Sequence, residues 1–593
     1  MITLGLARTL LQYSHNSKDA PPTLELNMAE YSPEVLQLIG EAIVHNTRIG
    51  FLDVNLCQGT VPTECLTGIL EFVSRNPSLQ SLLLQGGSPQ EGNSNEVTQL
   101  LLEAAGRNPS IRRLQVGNRT DPFNPTLPQN LDFLQSMTEV VLLLSDQETP
   151  KVWPTLDSGI TTLRLERKLC QPMDDYERAV STALDKLEQN THSIGPVDEP
   201  LNNMTTTHTA TKVSGIRNLS VDGWSSRLPS FLSSSSTAIE RLDLYEVDFT
   251  QQEDGTSLMD ELILGLGEST TTTELILDAC QFDTRAVQKL VHALKKDVDK
   301  QLAIQHITIE GFEGFRGQDM LQFFQLPCLH GLEVMGNDAN GEVDDMIDDV
   351  NEGLLECTLQ NITLSINLLA RLETGLTQAL QRGKLQHLEL DRCNLSVEAD
   401  AECLFGLLKN GNLRTLALDS VMCGFDFPGE ESLEYKVFEC LQQNSGLEKL
   451  SWRYGEAHYP MDFYTALVGS LPSLKLSTLK MSSSCHSIAE VQDVIGEIAT
   501  TSAKENWSLE VLQFSGWSAG VEDLFPDPVC TATQQEQIAA IAERNRLKKL
   551  IFSASIGSMS QEDCIHTLAS LWELPDWVSL TFWLLEEVPH LFF

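Results

Sequence analysis

Basic residues are scarce in this chain, and long apolar runs are missing altogether. Forty Lys and Arg stand against 83 Asp and Glu, a formal charge of -43 over 593 residues. Such a surface repels phosphate backbones and anionic membranes wherever salt leaves it unscreened, so nucleic acid is not an expected partner. No stretch approaches the ~18 apolar residues of a spanning helix, and membrane insertion is not expected. The amino-terminal segment MITLGLARTLLQYSHNSKD lacks the apolar core and small-residue cleavage site of a secretory signal. None of the 13 cysteines has a partner at CxxC spacing. Together these features predict reduced thiols and a cytoplasmic location, with the nucleus as the alternative. No phosphate-binding glycine loop, dinucleotide fingerprint, HExxH or zinc spacing occurs, so neither cofactor nor metal is expected. The plain meaning of the acidity is solubility of a large surface, and the sharper one is attraction of a basic partner.

What is present is a repeat. A mass of 65.8 kDa with 41% hydrophobic residues exceeds one compact core and demands several domains or an elongated array. A short pattern, apolar-x-x-Leu-x-Leu with apolar swaps, recurs along the whole chain, as at 239–244 (IERLDL), 385–390 (LQHLEL) and 413–418 (LRTLAL). Marking each copy by its second apolar residue gives 19 units: Leu24, Leu52, Leu82, Leu114, Val140, Leu163, Leu219, Leu242, Leu275, Ile307, Leu332, Ile362, Leu388, Leu416, Leu450, Leu479, Leu512, Leu550 and Leu580. One step averages about 31 residues. Alternation puts the Leu pair on one face of a short strand, neighbouring strands hydrogen-bond in parallel, and the return leg must cover the buried leucines.

Most return legs predict amphipathic helices. Ser32 and Pro33 open one, as N-cap and first helical residue, ahead of Val35, Leu36, Ile39, Ala42 and Ile43 at helical spacing. The stripe recurs at Ala286, Val287, Leu290, Val291 and Leu294, and again at Val343, Met346, Ile347, Val350 and Leu354. The steps ending at Val140, Leu163, Leu242 and Leu332 are short, which predicts short or irregular legs. The expected fold is therefore α/β, a horseshoe-shaped solenoid with its parallel sheet on the concave face and helices on the convex face.

The stretches 275–282 (LILDACQF) and 388–395 (LELDRCNL) resemble the signature of ribonuclease-inhibitor-like leucine-rich repeats. The resemblance covers roughly residues 20 to 585 and implies a protein-binding concave face. The chain departs from it at the turn three residues after the strand, where only Cys57, Cys280, Asn337, Asn367 and Cys393 supply the usual Cys or Asn. Those cysteines are expected to pack turns, not to bind metal. The organisation expected is an amino-terminal segment at 1–20, a repeat arm at 21–187, a flexible polar insertion at 188–214 that hides a long loop or a missing repeat, and a second arm at 215–593.

Two motifs invite chemistry. Residues 516–520 (GWSAG) match the nucleophile elbow of serine hydrolases, but Pro526 and Pro528 interrupt the helix that must follow, and a repeat turn is the expected structure. Residues 338–342 (DANGE) lack the glycine and glutamate spacing of a calcium loop, which makes Asp344, Asp345, Asp348 and Asp349 a solvated helix face. Catalysis is not expected.

Residues before, between and after each Leu pair point away from the core. From Leu219 to Leu416 they include Asp222, Asp243, Glu274, Asp278, Glu310, Glu333, Glu389, Asp391 and Asp419, with Arg241 the one cation. From Leu450 to Leu550 they supply Lys449, Arg453, Lys480 and Lys549 and no acid. Asp391 and Asp419 should repel in adjacent units, while Asp419 and Arg453 should attract, so part of the pattern can be internal neutralisation. The functional expectation is a two-toned face that orients a protein partner, with Tyr245 and Phe51 as aromatic anchors. An apolar carboxy-terminal cluster, Trp577, Phe582, Trp583, Leu584, Leu585, Phe592 and Phe593, predicts self-burial or homodimerisation. Rival functions are a GTPase-activating regulator of the Ran-activator type, which this chain's ending disfavours, and a serine hydrolase using the GWSAG motif.

Overall fold

A computed structural model describes residues 23–28, 32–46, 49–56, 61–86, 93–117, 127, 131, 134, 137–144, 160–167, 173–192, 216–234, 238–250, 257–295, 302–311, 314, 317–335, 346–365, 369–391, 395, 397–421, 433–444, 446–454, 469–482, 508–519, 549–556 and 578–584. The chain divides into two compact units, Met1–Gln305 with His590–Phe593, and His306–Pro589.

In the first unit nine strands run parallel, each paired with the next: β1 (Thr23–Asn27), β2 (Phe51–Asn55), β3 (Ser81–Gln85), β4 (Arg113–Val116), β5 (Glu139–Leu144), β6 (Thr162–Arg167), β7 (Asn218–Asp222), β8 (Arg241–Tyr245) and β9 (Glu274–Asp278). Their register aligns Leu24, Leu52, Leu82, Leu114, Val140, Leu163, Leu219, Leu242 and Leu275 in one row. Every member is at most 5% exposed. At about 1.5–3 kcal/mol for each fully buried aliphatic side chain, the row is a large apolar contribution and the reason the register does not slip.

The second unit repeats the plan with β10 (His306–Glu310), β11 (Gly331–Met335), β12 (Asn361–Ser365), β13 (His387–Asp391), β14 (Thr415–Val421), β15 (Lys449–Tyr454), β16 (Thr478–Ser482), β17 (Val511–Ala519), β18 (Lys549–Ile556) and β19 (Val578–Leu584). All 19 expected markers fall in strands, but one sits off the row. Leu550 aligns with Val578, and Leu580 with Phe552. A shift of two residues keeps the same face inward, so the alternation alone could not detect it.

Three further expectations are corrected. Residues 516–519 are not a turn: β17 continues through them, with a register shift between Phe514 and Trp517 that the glycine at 516 accommodates. The helix Met173–His192 runs five residues into the segment expected to be a loop from 188. That segment does not separate two arms either, because Leu163 of β6 pairs directly with Leu219 of β7 and no strand is missing between them. The helix is tied across this junction by buried Tyr176, whose hydroxyl donates to the Leu165 carbonyl and accepts the Asp222 N–H at 3.0 Å.

The return legs follow the apolar stripes. Ser32 Oγ accepts the Val35 N–H at 3.4 Å at the start of the helix Pro33–Ile43, which buries the five apolar residues expected of it. Asp283 caps the helix Thr284–Leu294 through the Ala286 N–H at 2.7 Å. The helix Ile347–Leu355 buries Ile347, Val350 and Leu354 and leaves Asp348 exposed, 2.7 Å from Arg371; Val343, Asp344 and Asp345 lie outside the described residues. The legs before Leu242 and Leu332 are short, a six-residue helix at Leu228–Ser233 and an eight-residue one at Gly317–Phe324. Successive helices can touch backbone to backbone: a Cβ on Gly68 would lie 2.4 Å from the Gly40 carbonyl carbon.

A polar ladder recurs along the described residues. It stands six residues before the marker leucine, where the helix hands over to the next strand. Asn108 Nδ2 donates to the Val73 and Asn76 carbonyls at 2.8 and 2.9 Å, while its Oδ1 accepts the Ser110 N–H at 2.9 Å. Asn76 repeats this toward the Asn46 carbonyl. Asn444 makes four such bonds, to the Leu408 and Asn410 carbonyls and from the Gly446 and Leu447 N–H groups. Each side chain satisfies buried backbone groups that the helix end orphans. Asn444→Ala removes the side-chain partner of four backbone groups and should cost at least the roughly 1–3 kcal/mol of one unsatisfied buried group, read as a lower urea midpoint at unchanged slope.

Candidate functional site

Alternate strand residues project from the face opposite the leucines, so the register itself positions the polar side chains. In the first unit, cross-strand neighbours in the position before the Leu pair bind one another. Arg113 lies 3.4 Å from Glu139, Asn218 donates to Thr162 Oγ1 at 3.0 Å, and Arg241 lies 3.0 Å from Glu274. In the position between the leucines, Arg164, Ser220 and Asp243 align across β6, β7 and β8. Over these strands opens a cavity of about 210 Å³ that runs from Glu139 to Asp243, with Leu219 beneath it. Burial pushes the Asp243 carboxyl above the usual range, against the pull of Arg241, Arg164 and a hydrogen bond from Ser220.

The acidic wall expected here is partly neutralised. Asp222 is buried, not presented, and its Oδ2 accepts the Arg167 N–H at 2.8 Å. Glu274 is paired with Arg241. Tyr245 and Asp278 align in register and are half-buried, as is Phe51 on β2. Just past β8, Glu246 holds φ 55°, the left-handed region that glycines such as Gly117 (91°) and Gly223 (76°) occupy after other strands. Its carboxylate is bound by the Arg167 guanidinium, beside a backbone conformation that costs a non-glycine residue about 1–2 kcal/mol.

In the second unit Glu310 is half-buried, Glu333 accepts from Thr308 at 3.0 Å, Asp391 accepts from Ser365 at 3.3 Å, and Glu389 is exposed. Asp391 and Asp419 do align, as expected of a like-charged pair. Asp419 and Arg453 do not, because the register between β14 and β15 shifts after Leu418 and resumes at Val421 opposite Tyr454. The side chains of Asp419, Arg453 and Lys549 lie outside the described residues. Lys449 is exposed and flanked by Thr415 and Thr478; Lys480 is exposed and flanked by Ser451 and Gln513. Among the described residues neither lysine has a carboxylate at ion-pair distance. The field of Lys449 is felt two strands away, where burial first and then Lys449 and Arg414 hold the His387 imidazole below its usual range, against Glu448.

Of the chemical motifs, Ser518 stands within β17 opposite Ser555 instead of on a strand-to-helix elbow. Cys280 is buried, donates to the Asp278 carbonyl at 3.3 Å, and has its thiol pushed up to about 12 by that burial, so it packs a turn. Cys57, Asn337, Asn367 and Cys393 lie outside the described residues, as do Trp577, Leu585, Phe592 and Phe593 of the terminal cluster; Phe582, Trp583 and Leu584 belong to β19. Among the described residues no group of three or more His, Cys, Asp or Glu is placed to hold a metal, and no helix is long and apolar enough to cross a membrane.

Reasoning from the sequence found Asp243 and missed the residues beside it. Arg164 occupies the position between Leu163 and Leu165 that the alternation rule covers, but the 56-residue step from Leu163 to Leu219 placed it in a different arm. The buried asparagines had a signal too, in the recurring Asn-Pro-Ser of 76–78 and 108–110.

No family profile matches the chain, and no curated protein matches it. Among solved structures it is similar to a chain in the crystal structure of a TLR13–ssRNA13 complex, at 11% identity and a TM-score of 0.28, over 94% of this chain and 90% of that one. A superposition that loose decides nothing; strand pairing and the leucine rows do. The chain is an α/β solenoid of parallel strands alternating with helical return legs. Its repeat is of the leucine-rich type.

Because the Asp243 carboxyl is shifted upward in the folded chain, it contributes stability below its unfolded value of about 3.9 that is lost as pH rises through the folded value. Asp243→Asn should therefore raise the melting temperature at pH 7 and leave it unchanged near pH 3, measured by calorimetry at both.

Proposed function

We propose that this chain is a non-catalytic recognition or scaffold protein of the ribonuclease-inhibitor-like repeat class, and that it binds a protein partner on the open face of its sheet. Helical return legs and the Leu-x-Leu register support the repeat class. The observation that carries the binding surface is the pair Lys449 and Lys480, exposed on adjacent strands among uncharged neighbours in a chain of net charge -43. Uncompensated cations in so acidic a molecule fit an acidic patch on a partner, with Arg453 and Lys549 extending the same limb. The acids Glu389 and Asp391 flank it and orient the docked surface by repulsion and attraction. A nucleic acid would meet the full negative field of the chain, which disfavours it.

Exposed interfacial charges act chiefly on encounter. In stopped-flow binding to the partner that co-purifies with the full chain, Lys449→Glu with Lys480→Glu should slow association about tenfold at low salt and flatten its salt dependence. Dissociation should change less. Association that is unaffected by this double reversal places the binding surface elsewhere.

A further inference from the structure

The cavity over β5–β8 is lined by four charged residues of both signs, and two of them have no ion pair among the described residues. Glu139 is engaged by Arg113, and Arg241 by Glu274. That leaves Arg164, exposed and without a carboxylate at ion-pair distance among the described residues, and Asp243, half-buried across Ser220. Thr162 Oγ1 accepts from Asn218 and keeps its own proton to donate, while Asn218 keeps its Oδ1 to accept. Two inter-strand spacings, about 10 Å, separate Arg164 from Asp243, with Ser220 of β7 between them.

Size and charge together restrict the occupant. At about 210 Å³ and open to solvent on one side, the hollow is smaller than the roughly 300–1,000 Å³ of sites for drug-sized ligands, which suits a group about the size of one amino acid. A lone anion on Arg164 would face the Asp243 carboxylate, and a lone cation on Asp243 would face two guanidinium groups; each gains one contact and loses another. A ligand with a positive and a negative end a few ångströms apart satisfies both. We propose that this cradle binds a free α-amino acid, its carboxylate on the Arg164 guanidinium and the Thr162 hydroxyl, its ammonium on the Asp243 carboxylate and the Asn218 carbonyl oxygen. Arg241 and Arg164 act on Asp243 only beyond ion-pair distance among the described residues, so the ammonium becomes its direct ionic partner. Binding here is independent of the lysines of the other unit, so either proposal can fail alone.

The test uses the full chain. The twenty protein amino acids are screened by thermal shift, and the one that stabilises most is compared by titration calorimetry with its N-acetyl derivative and its carboxamide. Loss of either charge should weaken binding at least about tenfold, since each removes a charge-assisted hydrogen bond. Arg164→Ala and Asp243→Asn should each abolish the shift, while Arg75→Ala, on the exposed side of the helix Thr67–Arg75, should leave it intact. Absence of a shift with all twenty, or binding indifferent to the blocked ends or to both variants, overturns the proposal. Binding of a dipeptide or a protein segment in place of any free amino acid also overturns it, and assigns the cradle to a macromolecular contact.

Discussion

The structure depends on one constraint, that the Leu-x-Leu pair of each strand stays in register with the pair of the next. Parallel pairing fixes which residues lie side by side, and burial of the leucines penalises any odd slip by turning every apolar side chain outward. Once the rows form, the alternate residues have no choice of face. The return legs then face a spacing problem, because strands lie about 4.8 Å apart while helices ordinarily pack at 8–10 Å. Gly40 against Gly68, where a Cβ would strike backbone, is one place where the helix layer draws in to follow the sheet. The asparagines at 76, 108 and 444 close the remaining account by bonding the backbone groups exposed where helix gives way to strand.

That hierarchy explains what the sequence disclosed. Burial writes itself into a period of two along the strand and of 3.6 along the helix, so every strand and the main helical stripes could be read from apolar residues alone. Cross-strand polar partners have no such period. Arg164, Ser220 and Asp243 are brought together by register across a 56-residue step, and the bulge that separates Asp419 from Arg453 leaves no mark in either strand's alternation. The two-residue offset of Leu580 was invisible for the opposite reason, since it preserves the pattern that would have revealed it.

The charge of the chain also resolves differently at each level. Summed over the molecule it is strongly negative, yet on the sheet face of the first unit the acids are largely answered, by Arg241, by Arg113 and by the Arg167 backbone. What remains is local and specific: a guanidinium and a carboxylate across one cavity, and two lysines on adjacent strands of the other unit. Net charge governs solubility and long-range repulsion, whereas recognition rests on the few groups the fold leaves without a counter-charge.

If register alone carries the sheet across the step from β6 to β7, the length of chain between them should not matter. Six residues, 107–112, suffice between the helix Ser94–Gly106 and strand β4. Replacing 193–215 by a four-residue linker would leave the same number between His192 and Asn218, keeping buried Ile216 in place. Hydrogen exchange on this shortened chain is the direct measurement: amides of 162–167 and 218–222 should keep their full protection. Loss of protection in both strands would show that the intervening segment, and not the leucine register, holds them together.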